Sequence, residues 1–168
     1  MQDIGVFYGS STGNTEAVAK LIQKEFGEEK TFIFDVADAK AGDIEKFTNL
    51  IFGTSTWGIG DLQDDFEDFL SELSNANLDG KKIALFGLGD QFSYSDSFVD
   101  GLGEIYEFLE DKNCELVGKT TTEGYEYDET KAEKDGLLVG LVLDEDNQSE
   151  LSSQRIKAWV EQLKNQLN

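Results

Sequence analysis

Short apolar runs alternate along the chain with longer segments in which apolar residues recur every three or four positions. The runs predict six strand segments: Ile4–Tyr8, Thr31–Val36, Leu50–Phe52, Lys82–Leu88, Glu115–Val117 and Leu137–Leu143. The first four are nearly all apolar, which is typical of strands covered on both faces. The longer segments predict four helices with apolar stripes, namely Val18, Leu21, Ile22, Phe26; Phe66, Phe69, Leu70, Leu73; Phe98, Leu102, Ile105, Leu109; and Ile156, Trp159, Val160, Leu163, Leu167. A short helix is predicted over Gly42–Phe47.

Strands that alternate with helices predict an α/β fold of three layers, a doubly wound parallel sheet with helices on both faces. The length of 168 residues fits a single domain that spans residues 1–168. Lys119–Gly136 lacks a helical stripe, and we interpret it as an insertion in the last strand. Ligands of such sheets bind beyond the carboxyl ends of the strands, so the loops that begin at Gly9, Thr54 and Gly89 are the candidate binding loops.

The charge and composition exclude several kinds of function. Fourteen basic and 35 acidic residues give a net charge of −21, which disfavours nucleic acid and anionic membranes and favours basic protein partners. The chain has no histidine and one cysteine, Cys114, so imidazole-based triads, Cys-rich metal sites and an internal disulfide are excluded. The lone cysteine and the absence of a signal-peptide or membrane-span pattern predict a cytoplasmic protein.

The first candidate loop is rich in hydroxyl groups and lies where a strand gives way to a helix. It reads Ser10-Ser11-Thr12-Gly13-Asn14-Thr15. A helix N-terminus offers free amides and a partial positive charge, so this loop predicts a phosphate site. It matches neither the lysine-containing Walker A loop nor the GxGxxG turn. The alternative is that Thr12 only caps the helix.

The second and third candidate loops each bring an aromatic residue to the same sheet edge. Trp57 follows the third strand and Tyr94 follows the fourth. Either ring alone is more typical of the edge of a core. Two rings beside a phosphate site predict a slot for a flat ring system, because aromatic stacking adds about 0.5 to 1.5 kcal/mol per ring beyond burial of area.

The sequence Ser10–Thr15 resembles the [ST]-x-T-G-x-T phosphate loop of flavodoxins, and the insertion resembles that of the long-chain type. The resemblance implies a sheet of five parallel strands in the order 2-1-3-4-5 and FMN as the cofactor. It also implies that Trp57 and Tyr94 sandwich the flavin ring and that Asp90 lies at its pyrimidine end. The other residues implied to contact FMN are Ser10, Ser11, Thr12, Gly13, Asn14, Thr15, Ser55, Thr56, Gly58, Ile59, Gly60, Leu88 and Gly89. Asp146 is expected either near the ribityl chain or in a helix-capping turn.

By the same resemblance, the function is that of a low-potential one-electron carrier, a monomer without catalytic residues that cycles between the semiquinone and hydroquinone of FMN. The implied partners are basic faces of redox proteins such as ferredoxin–NADP reductase, pyruvate oxidoreductase, photosystem I or nitrogenase reductase. Gly58 stands where many relatives have asparagine, and Ser55 where many have proline. Glycine tolerates both orientations of a flipping peptide. We therefore expect the semiquinone to be well populated, and we expect Gly58→Ala to lower that population.

The charge pattern agrees with a low potential. No lysine or arginine occurs in residues 47–80 or 83–111, which carry the two aromatic loops. These spans hold fourteen acids: Asp61, Asp64, Asp65, Glu67, Asp68, Glu72, Asp79, Asp90, Asp96, Asp100, Glu104, Glu107, Glu110 and Asp111. Such a run is usually a solvated helix face. Beside a redox ring it would disfavour an added electron.

Three other functions fit parts of the pattern. One is an NAD(P)H-dependent quinone reductase of the same fold, although no basic group for a nicotinamide phosphate is evident. Another is a phosphate-binding signalling module without redox activity, but Thr54 occupies the place where a receiver domain needs aspartate. The third is a binding module that uses the phosphate loop without a flavin.

Overall fold

The computed structural model describes residues 1–57 and 59–168 as a central parallel sheet between two layers of helices. In chain order the strands are β1 (Ile4–Tyr8), β2 (Thr31–Asp35), β3 (Asn49–Trp57), β4 (Asp61–Leu62), β5 (Lys82–Leu88), β6 (Glu115–Val117), β7 (Thr120–Thr121), β8 (Glu133–Lys134), β9 (Leu137–Leu138) and β10 (Leu141–Leu143). The helices are α1 (Asn14–Phe26), α2 (Ala41–Glu45), α3 (Asp64–Asn75), α4 (Asp100–Leu109) and α5 (Ser149–Lys164).

The central sheet has the predicted order. Across the sheet the strands lie in the order β2, β1, β3, β5, and β6 and β10 share the fifth position. β6 pairs with the first half of β5 and β10 with the second half, both in parallel. The predicted 2-1-3-4-5 order is therefore confirmed, with two differences in detail. The fifth strand is divided, and the two-residue β4 pairs antiparallel with the end of β3.

The prediction of one continuous strand over residues 137–143 is wrong. Residues 137–138 form β9, which pairs with β7 and β8 in a separate three-stranded sheet, whereas residues 141–143 join the central sheet as β10. Gly140 lies between them so close to the Leu85 carbonyl that a β-carbon would overlap it. Its own carbonyl accepts a hydrogen bond from the Thr120 hydroxyl at 2.6 Å. One apolar run therefore serves two sheets, and the insertion carries its own strands.

The core lies on both faces of the sheet because successive strand residues point to opposite sides. In β1, Val6 packs in the cluster that contains α1 and α5, and Phe7 packs in the cluster that contains α3 and α4. Two expectations fail. Leu21 of the predicted α1 stripe is exposed, and Phe32 is exposed because β2 is the edge strand of the sheet. Over residues 1–57 and 59–168, no helix has both the length and the apolar character needed to cross a membrane.

Candidate functional site

A cavity of about 290 Å³ opens where the carboxyl ends of β1, β3 and β5 meet. Ten of the predicted site residues line it, together with Glu145 and Asp146, which follow β10. The ten are Thr12, Asn14, Thr15, Ser55, Thr56, Trp57, Leu88, Gly89, Asp90 and Tyr94. Of the rest, Ser10, Ser11, Gly13, Ile59 and Gly60 do not border it, and Gly58 lies outside the described residues. The sheet topology thus brings together loops that are far apart in sequence.

The phosphate loop, residues 10–15, presents the start of α1 to the cavity. Gly13 is the N-cap residue and has a φ of 94°, a left-handed conformation that glycine adopts without strain. Its N–H donates to the Ser10 hydroxyl at 3.0 Å, and its carbonyl accepts the bond from the Ala17 N–H at 3.0 Å. Helix geometry therefore leaves the N–H groups of residues 14–16 without helical acceptors. The alternative that Thr12 merely caps α1 is wrong, because Gly13 occupies that position.

A buried glutamine that the sequence analysis missed supports this loop. The Gln63 side-chain oxygen accepts a hydrogen bond from the Phe66 N–H at 2.9 Å and so caps α3. Its side-chain nitrogen donates to the Ser11 hydroxyl at 3.1 Å. Gln63 therefore joins the phosphate loop to the start of α3. Only burial identifies the role, since glutamine is a weak cap signal in sequence.

The two predicted stacking rings are the half-exposed walls of the cavity. Trp57 is 41% exposed at the end of β3, where it pairs with Asp61 of β4. Tyr94 is 46% exposed in the loop that follows β5. Large aromatic side chains in contact with water at a concave site are available for a planar ligand.

The end of β3 supplies hydroxyl groups with different roles. The Thr56 hydroxyl accepts a hydrogen bond from the Gly101 N–H at 3.0 Å and so fixes β3 to the start of α4. The Ser55 hydroxyl is buried and, among the described residues, has no hydrogen-bond partner. An unpaired buried hydroxyl is costly, so Ser55 has unused hydrogen-bonding capacity in the cavity wall. Thr54, where a receiver domain would need aspartate, is buried and donates to the Ser55 carbonyl.

In the ring loop, residues 89–94, five of the six backbone N–H groups have hydrogen-bond acceptors within the described residues. The Phe92 and Ser93 N–H groups donate to one Asp90 carboxylate oxygen, and the Tyr94 N–H donates to the Asp90 carbonyl. The Gly89 N–H donates to the carbonyl of Leu143, the last residue of β10, and the Gln91 N–H donates to the Asp144 carboxylate just after β10. Within the described part of the chain, the Asp90 N–H is the one amide of this loop left without an acceptor.

The charges around the cavity arise partly from groups that the sequence analysis missed. Burial raises the pKa of Asp146, and repulsion from Asp90 and Asp144 raises it further. Burial would also raise the pKa of Asp90, but hydrogen bonds from Ser93, Asn147 and Phe92 outweigh it and lower that pKa. Glu145 also lines the cavity, although the sequence analysis assigned it no role.

The fourteen acids that stand unopposed in sequence are not all unopposed in space. Four have lysine partners within 4.0 Å: Glu72 with Lys40, Glu104 with Lys131, Glu107 with Lys134 and Asp111 with Lys112. Two of these lysines belong to the insertion. The acids that line the cavity, Asp90, Glu145 and Asp146, form no ion pair with the described residues, so the rim keeps its negative charge.

Comparison with known proteins places this architecture in a family. A sequence model described as flavodoxin matches residues 6–159. The chain belongs to the flavodoxin family. It is 45% identical to the flavodoxin of Nostoc sp. strain PCC 7120 over 163 residues, which covers 97% of this chain and 96% of that protein. It is 46% identical to the flavodoxin of Synechocystis sp. strain PCC 6803 over 165 residues, with 98% and 97% covered.

A solved flavodoxin structure has almost the same backbone. The crystal structure of Fusobacterium nucleatum flavodoxin bound to flavin mononucleotide superimposes with a TM-score of 0.95 and 33% identity and covers 100% of both chains. The flavodoxin fold of that protein therefore extends over the insertion as well as the central sheet.

Proposed function

We propose that this protein is an electron carrier, not an enzyme, that binds FMN noncovalently and exchanges single electrons with redox proteins. The observation that carries the proposal is the cavity itself. It joins a helix N-terminus with unpaired amides to two half-exposed aromatic rings at one edge of the sheet. FMN has a phosphate for the first and a flat ring for the second. Family membership and the FMN of the Fusobacterium nucleatum flavodoxin support the same conclusion.

The residues present fit this cofactor. In the proposal the phosphate lies at the phosphate loop, where the hydroxyls of residues 10–15 and the free amides of α1 donate to it. The ring lies between Trp57 and Tyr94, and the free Asp90 N–H donates to its edge. The unpaired Ser55 hydroxyl gives a further polar group in the wall. When bound, FMN supplies the redox chemistry, while the protein supplies binding, orientation and electrostatics.

The acidic rim favours a low potential and basic partners. A carboxylate about 10 Å from the ring disfavours an added electron by roughly 0.4 to 1.7 kcal/mol for an effective dielectric between about 80 and 20. We therefore extend the proposal to the semiquinone–hydroquinone cycle implied by the family resemblance. A net charge of −21 favours association with basic faces of partners such as ferredoxin–NADP reductase or pyruvate oxidoreductase. We also propose that the protein is a monomer and acts in the cytoplasm.

The first test is a ligand titration of the full-length protein freed of bound flavin. FMN fluorescence should be quenched at one equivalent, and FMN should bind more tightly than riboflavin, which lacks the phosphate. Adenosine 5'-monophosphate is the matched control ligand because it has a similar phosphate but a different ring. Absence of FMN binding, or equal affinity for the adenosine ligand, would overturn the proposal.

The second test concerns electron transfer. The FMN-loaded protein is reduced in steps while its visible spectrum is recorded, and electron exchange with a basic redox protein is then timed at increasing salt. We expect two separable one-electron steps and an exchange rate that falls with ionic strength, because charge steering is screened. A single two-electron step, or a rate independent of salt, would contradict the proposed carrier function.

A further inference from the structure

The ring loop has an inverted pattern of burial. Gln91 is fully buried at 0% exposure, whereas its neighbour Phe92 is 61% exposed and Tyr94 is half-exposed. Of residues 90–96, all of which the structure describes, Gln91 is the one buried residue. No apolar side chain in this segment is therefore buried in the core. The position of the loop depends on what the glutamine contacts.

Gln91 contacts a carboxylate that is also fully buried. One Asp144 oxygen accepts hydrogen bonds from the Gln91 N–H at 3.1 Å and from the Gln91 side-chain nitrogen at 2.8 Å. Asn147 donates to the same carboxylate from its N–H at 3.0 Å and from its side chain. No lysine or arginine of the described chain forms an ion pair with it. Among the described residues, these donors alone satisfy the oxygens of a fully buried carboxyl group, so losing any of them is costly.

The same glutamine also reaches the insertion. Its side-chain oxygen accepts a hydrogen bond from the Glu126 N–H at 2.6 Å. One side chain thus joins the ring loop, the segment after β10 and the insertion. Asn147 closes the network on the cavity side, because its side chain also donates to the Asp90 carboxylate at 2.8 Å.

We propose that Gln91 and Asp144 are positioning residues for the ring slot, and that the insertion takes part through the Glu126 N–H. They hold the ring loop so that the Asp90 N–H and the Tyr94 ring face the cavity, without touching the ligand themselves. This inference rests on the proposed function, because the ring slot is defined by a flavin. It gives the insertion a role in cofactor geometry that its sequence does not reveal.

The test separates the two ends of the cofactor. Gln91→Met keeps the length of the side chain but removes its polar contacts with Asp144 and Glu126. Riboflavin probes the ring slot alone, inorganic phosphate probes the phosphate loop alone, and FMN probes both. We expect Gln91→Met to lower the affinities for riboflavin and for FMN by a similar factor of about ten, or about 1.4 kcal/mol of binding free energy. Phosphate affinity should change by less than about twofold, because the phosphate loop follows β1 and is remote from the ring loop, which follows β5.

The matched control is Gln162→Met, which removes a hydrogen bond of 2.8 Å from a glutamine side chain to the Lys119 carbonyl at the other end of the insertion. Gln162 does not line the cavity, so all three affinities should stay at the wild-type values. If Gln91→Met does not fold, Asp144→Asn replaces it. This variant keeps the shape of the side chain but replaces one accepting oxygen with an NH2 group, which must face donors of Gln91 or Asn147. It should weaken the binding of riboflavin in the same way.

The outcomes are distinct. Wild-type protein that binds no FMN would overturn the proposed function. Wild-type protein that binds FMN, together with variants that bind riboflavin as tightly as wild type, would overturn only the positioning role. An equal loss of riboflavin and phosphate affinity would also overturn it, because that pattern means general destabilisation.

Discussion

The phosphate loop and the ring loop border one cavity but use their backbone donors in opposite ways. In the phosphate loop the first amides of α1 are unpaired, and a few contacts, such as those of Ser10 and Gln63, hold the loop in place. In the ring loop almost every amide is already bonded to a carboxylate or carbonyl, and a buried glutamine fixes the whole segment. One loop offers many donors, and the other offers a rigid surface with a single donor.

The difference follows from what each loop must recognise. The negative charge of a phosphate is spread over oxygen atoms on all its sides, so several free hydrogen-bond donors at a helix N-terminus suit it. A flat ring is held mainly by its faces, so the stacking side chains must be kept in place. If this comparison is correct, changes in the two loops should separate the affinities for FMN, riboflavin and phosphate.

The largest effect is expected from a negative charge in the phosphate loop. Thr12→Asp places a carboxylate beside the free amides, where it repels the phosphate dianion. We expect FMN affinity to fall by about 100-fold, or about 2.7 kcal/mol, in the range for charges a few ångströms apart near a surface. Riboflavin affinity should change by less than about threefold. Fluorescence titration measures both.

The control for this charge is Thr121→Asp, the same substitution at an exposed position of β7 in the insertion. Thr121 does not line the cavity, and both flavins should bind this variant as they bind wild type. A Thr12→Asp variant that loses riboflavin as strongly as FMN would show that the two loops do not act separately.

The next largest effect is expected from removing a ring. Tyr94→Ala should lower the affinities for FMN and for riboflavin by the same factor, about 10 to 30, because both ligands contain the flavin ring. Phosphate affinity should stay unchanged. The apoprotein should lose less than about 0.5 kcal/mol of unfolding free energy, since the ring is half-exposed. Phe92→Ala, a neighbouring exposed ring outside the cavity lining, is the control and should leave flavin affinity unchanged. A factor for FMN that differs from the factor for riboflavin would argue against a slot that binds only the ring.

A smaller effect is expected at the support of the phosphate loop. Gln63→Met removes the α3 cap and the bond to Ser11, so urea unfolding should show a loss of about 1 to 2 kcal/mol. FMN affinity should fall only a few-fold, because the α1 amides remain in place. Gln154→Met on the exposed face of α5 serves as the control. An unchanged free energy of unfolding would mean that Gln63 is not the support inferred above.

The smallest effect is expected at Asp146. Because its pKa is raised in the native protein, the native state holds this proton more tightly than the unfolded state does. Stability is therefore lost as the pH rises from the ordinary pKa of 3.8 through the native value. Asp146→Asn does not titrate, so it should gain stability relative to wild type over this range. The gain should stay below about 1 kcal/mol, since the side chain is largely exposed and only partly desolvated. Urea unfolding between acidic and neutral pH measures it, and a gain that shrinks as the pH rises would contradict the assignment.

Sequence patterns predicted the fold well because apolar periodicity determines which faces are buried. The strand order and the place of the insertion followed from the alternation of elements and the family resemblance. The division between β9 and β10 did not, because Gly140 interrupts the apolar run too briefly to indicate a change of sheet. The exposure of Phe32 was missed because an edge strand and a central strand can have the same apolar composition.

In the site, small hydroxylic residues and aromatic residues after strands carry a signal that sequence alone reveals. Gln63, Gln91 and Asp144 carry none, because polar residues in turns are usually solvated and only the tertiary structure buries these three. The charge pattern was also incomplete, since Lys131 and Lys134 reach Glu104 and Glu107 from the insertion. Pairing between residues so far apart along the chain depends on the topology of the fold.

The divided fifth strand has an architectural consequence. Val117 lies opposite Ala84 and Leu141 lies opposite Phe86, so the chain leaves the sheet and returns to it with only the position opposite Leu85 between the two points. We therefore expect a variant in which one residue replaces residues 118–140 to keep β6 and β10 in their places on β5. The insertion is in this sense a cassette, because the hydrogen-bond ladder on β5 keeps one register on both sides of it.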